Sequence, residues 1–226
     1  MSLVLLCLFD RMEKIAMKKF ELTADKIEEK GVTLHRIKAL IDFGDVKAGE
    51  LGGYVEKEEN LSQYGNAWVY RHAKVFGNAY IYGNTRIFGN ALVFEDALVY
   101  EDALVSGDTR ICSDAKVSGN ARIGGSAYIS GNAHIFGDSL VYGNAWLCDN
   151  AQVSSDADYI YLKGFGSHNR STTIFRAKSG NICVSCGCFI GSLQEFENKV
   201  KETHGNNKFA KEYLALVEAA KIHFEV

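Results

Sequence analysis

The sequence predicts an all-β solenoid of about six 18-residue coils, with a small N-terminal cap and a C-terminal α+β module ending in two helices. Three observations predict it. A six-residue unit repeats sixteen times without insertion from Gln63 to Asp158. Its first position is aliphatic in 15 of 16 units, Gln63 being the exception, and its fifth is Ala, Thr or Ser in all sixteen. The chain also contains no proline, which suits a fold whose backbone N–H groups all feed ladders. A fixed period of this kind marks a stacked-repeat architecture.

Each position of the unit has a physical reading. The aliphatic residue fills the core from the middle of a short strand, and the small fifth residue points inward near a corner. The third position is Gly in ten units and the fourth is Asn or Asp in fourteen, His72 and Ser126 being the exceptions. These residue types tolerate the left-handed backbone that a sharp corner demands. Three strands and three corners close a triangular coil. One corner then stacks Asn78, Asp96, Asp114, Asn132 and Asn150 at eighteen-residue spacing.

The remaining chain divides into three parts. Met1–Phe9 is apolar but too short to span a membrane. It lacks a basic residue ahead of it and a small-residue cleavage site after it, which argues against a signal peptide. Arg11-Met12-Glu13 can be encoded as a purine-rich ribosome-binding sequence ahead of Met17. Residues 1–16 are therefore expected to be a non-native or disordered leader. Residues 17–62 form the cap, with strands expected at Phe20–Thr23 and Thr33–Ile41, a loosely patterned stretch between them, and a glycine-punctuated loop. Leu51, Val55 and Leu61 sit in phase with the repeat and predict an irregular starting coil. Residues 63–158 are the repeat. Residues 159–226 form the module, with strands at Tyr159–Leu162, Thr173–Arg176 and Ile182–Phe189. Ser192 with Glu195 makes a capping box for one helix, and Phe209, Tyr213, Val217, Ala220 and Phe224 form the stripe of a second.

Composition excludes some functions. A net charge of −3 argues against nucleic-acid or anionic-membrane binding, and with no targeting signal the expected location is cytoplasmic. Cys112 and Cys148 lie two whole coils apart, roughly 10 Å, too far for a disulfide.

The hexapeptide pattern resembles the hexapeptide-repeat family, whose coils wind into a left-handed parallel β-helix, so the handedness is implied by the resemblance. Ile41–Gly49, Gly52–Val55 and Asn60–Trp68 are similar to the leader of bacterial and phage hexapeptide proteins, some of which carry transferase names. Gly164-Phe165-Gly166-Ser167, Cys186-Gly187-Cys188-Phe189 and His204-Gly205 resemble a module attached to such repeats in phages and prophages of Gram-positive bacteria. The resemblance implies a phage- or prophage-type homo-oligomer, a trimer being favoured, that acts by binding, as a host-factor inhibitor or a ligand-sequestering protein. The alternative it implies is a CoA- or acyl-carrier-dependent acyltransferase; a structural scaffold is the third reading.

Candidate sites follow from residue type and position. Acyltransferases of this family need a histidine base, and His134 and His72 are the candidates. The uninterrupted repeat, with no extruded loop, weighs against catalysis. Cys183, Cys186 and Cys188, with His168 or His204 as a fourth ligand, are zinc candidates, but alternating strand cysteines are more often packed thiols. No cofactor is expected, CoA entering only under the alternative. An interaction surface is expected at Trp68, Tyr70, Phe76, Tyr82, Phe88, Phe94, Tyr100, Phe136, Tyr142 and Trp146, since so much outward apolar area marks contacts. The terminal modules and neighbouring subunits are the simplest cover for it. Arg110, Lys116 and Arg122, one on each face, are anion-binding candidates, so the expected partners are a second and third copy of the chain, a host protein or a small anion. Glu95, Asp96, Glu101 and Asp102 could bind a cation, but are most simply read as turn formers.

Overall fold

A computed structural model describes residues 18–226. The leader, Cys7 and the expected start at Met17 lie outside the described residues. Fifteen two-residue strands, β4 (Trp68–Val69) to β18 (Gln152–Val153), form three parallel ladders. Partners lie eighteen residues apart, as in Val93 with Ile111 and Ile111 with Ile129. The expected left-handed parallel β-helix is this structure. Face A carries the core residues Val55, Val75, Val93, Ile111, Ile129 and Leu147. Face B carries Val69, Ile87, Val105, Ile123 and Val141; face C carries Ile81, Val99, Val117, Ile135 and Val153. All are fully buried, each contributing on the order of 1.5–3 kcal/mol before chain entropy is charged against it.

At the corners the third residue of the unit is left-handed in every unit but the last, where Ser155 is extended. The left-handed conformation is kept even where the residue is not glycine, at Arg71, Glu95, Glu101, Ser113 and Asp149. A Cβ at Gly107 would stand 2.4 Å from Gly125 O in the next coil. Glutamate offsets the strain with a hydrogen bond: Glu101 Oε2 accepts from Gly119 N at 2.6 Å, and Glu95 Oε2 from Ser113 N at 2.7 Å. The Asn/Asp residues stack as expected, Asn78 Nδ2 donating to Asp96 Oδ1 and Asn84 Nδ2 to Asp102 Oδ1.

The cap differs from its expectation. β1 (Phe20–Glu29) continues through the loosely patterned stretch, pairing with β2 (Val32–Ala39) across an irregularity between Leu22 and Lys26. β3 (Leu51–Val55) pairs antiparallel with β2 and parallel with the repeat. Val55 meets Val75 and Leu61 meets Ile81, twenty residues on, so the starting coil is two residues longer than the rest. Val55 and Leu61 are buried in it, whereas Leu51 is exposed. Gly52 lies flat on the first coil, where a Cβ would stand 2.6 Å from Val69 O.

Backbone hydrogen bonds join each coil to the next in both directions, as parallel pairing requires; among them Trp68 N donates to Thr85 O and Tyr80 N to Ala97 O. Carbonyls on the first coil's outer edge need donors. Lys19 Nζ serves Ala67 O at 3.0 Å and Gly65 O at 3.5 Å. Asn60 Nδ2 serves Ala79 O at 2.9 Å and Gly77 O at 3.1 Å. Tyr54 N serves Ala73 O. On the last coil, Asp156 Oδ1 takes Leu140 N and Thr173 Oγ1 takes Trp146 N, while Tyr159 Oη donates to Leu140 O.

The C-terminal module is a four-stranded antiparallel sheet, β19 (Tyr159–Phe165), β20 (Arg170–Arg176), β21 (Ile182–Cys186) and β22 (Phe189–Ser192), followed by α1 (Leu193–His204) and α2 (Lys208–Phe224). The single strand expected at Ile182–Phe189 is two, because Gly187 turns the chain with positive φ. Phe175 enters the solenoid core from one side of the sheet. The other side packs Ile174, Val184 and Cys186 against both helices. The capping box is present: Ser192 Oγ accepts from Glu195 N at 3.2 Å and Glu195 Oε2 from Ser192 N at 2.8 Å. Among the described residues no helix is long and apolar enough to cross a membrane.

Candidate functional site

Eighteen-residue spacing places Leu98, Lys116, His134 and Gln152 in one column on face C, beside the corner column Asp96, Asp114, Asn132 and Asn150. The two columns line a groove of about 730 Å³. Its C-terminal end is closed by Lys178, whose backbone N–H donates to Asn150 O at 2.8 Å, next to a bridge between Ala151 and Ala177. The groove carries Asp96 and Asp114 toward its N-terminal end and two lysines, Lys116 on the coil of Asp114 and Lys178 at the far end.

His134 lies between them. Its ring stacks on Phe136 with centroids 4.6 Å apart, and Nε2 stands 3.4 Å from Ser118 Oγ. Burial first, then the charge of Lys116, holds the imidazole's pKa below the usual histidine value; Glu101 opposes this and Lys178 adds to it. A neutral imidazole at pH 7 can accept a proton. Nδ1 has no hydrogen-bond partner among the described residues.

The other candidates do not join it. His72 is exposed on the corner between faces B and A. Arg110, Lys116 and Arg122 stand on faces A, C and B respectively, so only Lys116 reaches the groove. Cys183 and Cys186 are three residues apart on β21 and point to opposite sides of the sheet, one toward the solenoid and one toward the helices. Among the described residues no three His, Cys, Asp or Glu side chains stand close enough together to hold a metal ion.

The expected interaction surface is partly internal. Trp68 is 0% exposed, packed under Phe20 and Phe43 at 6.3 and 5.3 Å. Phe76 and Phe94, at 6% and 7% exposure, stack on each other at 5.1 Å beneath Leu34, Ile27 and Val32 of the β1–β2 hairpin. Trp146 is half-buried under the C-terminal sheet, where its carbonyl accepts from Ser185 Oγ at 2.8 Å. The terminal modules thus cover the first coils of face A, Trp68 on face B, and the last coil. Face B keeps the stacked pair Tyr70–Phe88 at 4.3 Å and the exposed Tyr142; face C keeps Tyr82–Tyr100 at 5.1 Å and Phe136.

Lys178 and Gln152 were not singled out by the sequence. The eighteen-residue column predicts Gln152 once His134 is chosen. Lys178 arrives through the tertiary bridge at Ala177, for which the sequence carries no signal.

No family model matches the chain. Over 42 residues, 19% of this chain, it is 48% identical to a protein of Escherichia coli (strain K12) named "Uncharacterized acetyltransferase YdcK". That match spans 13% of the relative's length. The six-residue period, the three parallel ladders and this match fit a hexapeptide-repeat β-helix protein.

Proposed function

We propose that this protein transfers an acyl group from a thioester donor to a small nucleophilic acceptor, with His134 as general base. The observation that carries the reading is a half-buried imidazole, kept neutral, in a groove with two lysines. The name of the Escherichia coli relative supports the same class over the short stretch it shares. Lys116 and Lys178 would hold the anionic part of the donor, CoA or an acyl carrier, and the neutral amides of Asn132, Asn150 and Gln152 would flank it. The donor supplies the activated carbonyl. His134 would take the acceptor's proton through Nδ1 as the acceptor attacks, and return it to the departing thiolate. The experiment is thiol release from acetyl-CoA in the presence of amine and hydroxyl acceptors. Turnover that His134→Ala abolishes supports the reading; absence of turnover, or turnover indifferent to His134, removes it.

A second reading keeps the protein as a non-catalytic binder, of the phage or prophage type that its terminal segments resemble. It is favoured by the repeat itself, which passes through sixteen units with no extruded loop. In either reading faces B and C would meet other copies in a homo-trimer, covering Tyr70, Phe88, Tyr82 and Tyr100. Light scattering on the purified protein tests this, a monomer mass being the contrary result.

A further inference from the structure

We propose that the C-terminal module binds a small organic anion with an apolar body, in a cavity between the β21–β22 turn and α1. The cavity has a volume of about 480 Å³, within the range of small-molecule sites. Its lining combines four potential cations, Arg170, Lys199, His168 and His204, with an apolar wall, and includes no Asp or Glu.

Arg170 sets the ligand's charge. Arg170 is half-buried, and its guanidinium makes no ion pair or side-chain hydrogen bond among the described residues. It lies over Gly187, where a Cβ would stand 2.1 Å from Nη1, so the absence of a side chain there is what gives the guanidinium its place. A planar fork held this way, without a carboxylate of its own, suits an incoming carboxylate. Lys199 pairs with Glu202 at 2.9 Å, but both groups are largely exposed, and such a pair is weak enough to exchange partners.

The wall sets the rest of the ligand. Phe189 and Phe196 stand 5.3 Å apart, and Tyr213 meets Phe196 edge-on at 5.5 Å. The nearby polar atoms are already engaged. Tyr213 Oη donates to Phe165 O at 3.3 Å, and Thr172 Oγ1 donates to Cys186 Sγ at 3.2 Å. The deep surface therefore offers contact area rather than hydrogen bonds, which fits an aliphatic or aromatic body behind a carboxylate. This face of the sheet is also turned away from the solenoid, so its chemistry is not required for capping.

Octanoate and octan-1-ol share a body and differ in charge. Calorimetric titration of the full chain should find one octanoate site, with octanol at least tenfold weaker. Arg170→Gln should weaken octanoate roughly tenfold and leave octanol unchanged, while Lys26→Gln on the N-terminal cap changes neither. Lys199→Gln gives a second, smaller loss and serves if Arg170→Gln fails to fold. Octanoate should also slow alkylation of the exposed Cys188 at the cavity mouth, read by peptide mass. No octanoate binding, equal binding of the two probes, or full affinity in folded Arg170→Gln and Lys199→Gln would each overturn the proposal.

Discussion

Ser118 Oγ and His134 Nε2 stand 3.4 Å apart on successive coils of face C, although sixteen residues separate them in the chain. A contact of that length orients the ring more than it stabilises it. With Nε2 turned to Ser118, Nδ1 is the atom left to face a substrate. His134→Ala should therefore lower acyl transfer by about 10²–10⁴-fold, and Ser118→Ala by less than about tenfold. Steady-state kinetics of the two variants at saturating acetyl-CoA checks the ranking.

The acid limb of kcat/KM should fall below the ordinary histidine range, because burial and Lys116 both disfavour the imidazolium. Lys116→Ala and Lys178→Ala should move that limb upward and raise KM for the donor. His134 also links to stability. The unfolded chain binds its proton more readily than the folded one, so His134's contribution is present above about pH 6.5 and is lost as pH falls through the folded-state value. Urea titrations across pH 5–8 of wild type and His134→Gln should differ in this sense.

Lys19 offers the same test at the other end of the pH scale. Burial pushes its ammonium down to about 8, against about 10.4 in an unfolded chain. Between those values the unfolded state binds more protons, so stability should rise with pH from about 8 to about 10.4. Lys19→Met should lack that rise. The difference between the two denaturation midpoints, followed from pH 7.5 to 10.5, is the readout.

Gly107→Ala should cost about 1–3 kcal/mol, since the corner is left-handed and the next coil's carbonyl blocks the Cβ. Glu101→Gly should change stability by less than about 1 kcal/mol, because relief of the left-handed strain offsets the lost bond to Gly119 N. Chemical denaturation of the pair separates backbone strain from side-chain capping.

The repeat was legible because its period is its structure: one aliphatic residue in six, one small residue, one corner. His134 was legible as an outward residue next to Phe136, and the same column gives Lys116. What could not be read was cover. Trp68, Phe76 and Phe94 occupy the same unit positions as Leu98 or Phe88, and period alone cannot tell a face that meets a hairpin from one that meets solvent. The length of β1 was missed because its outward residues are charged and its register breaks between Leu22 and Lys26. The split at Gly187 is a local turn whose residue type was visible, but whose left-handed conformation a cysteine-rich apolar run conceals. Lys178 depends on a long-range bridge and has no local signature.

The donors that Lys19 and Asn60 supply have a consequence for what the molecule cannot become. A stack of near-identical coils is a polymerisation template: the open ladder of one molecule's first coil could pair with that of another's last. An ammonium and an amide fill acceptors of that ladder at one terminus, while Asp156 and Thr173 occupy donors at the other. Side chains thus occupy part of the open ladder at each end, beside the backbone of β3 at one and of the C-terminal sheet at the other, and the stack closes on itself as a single molecule.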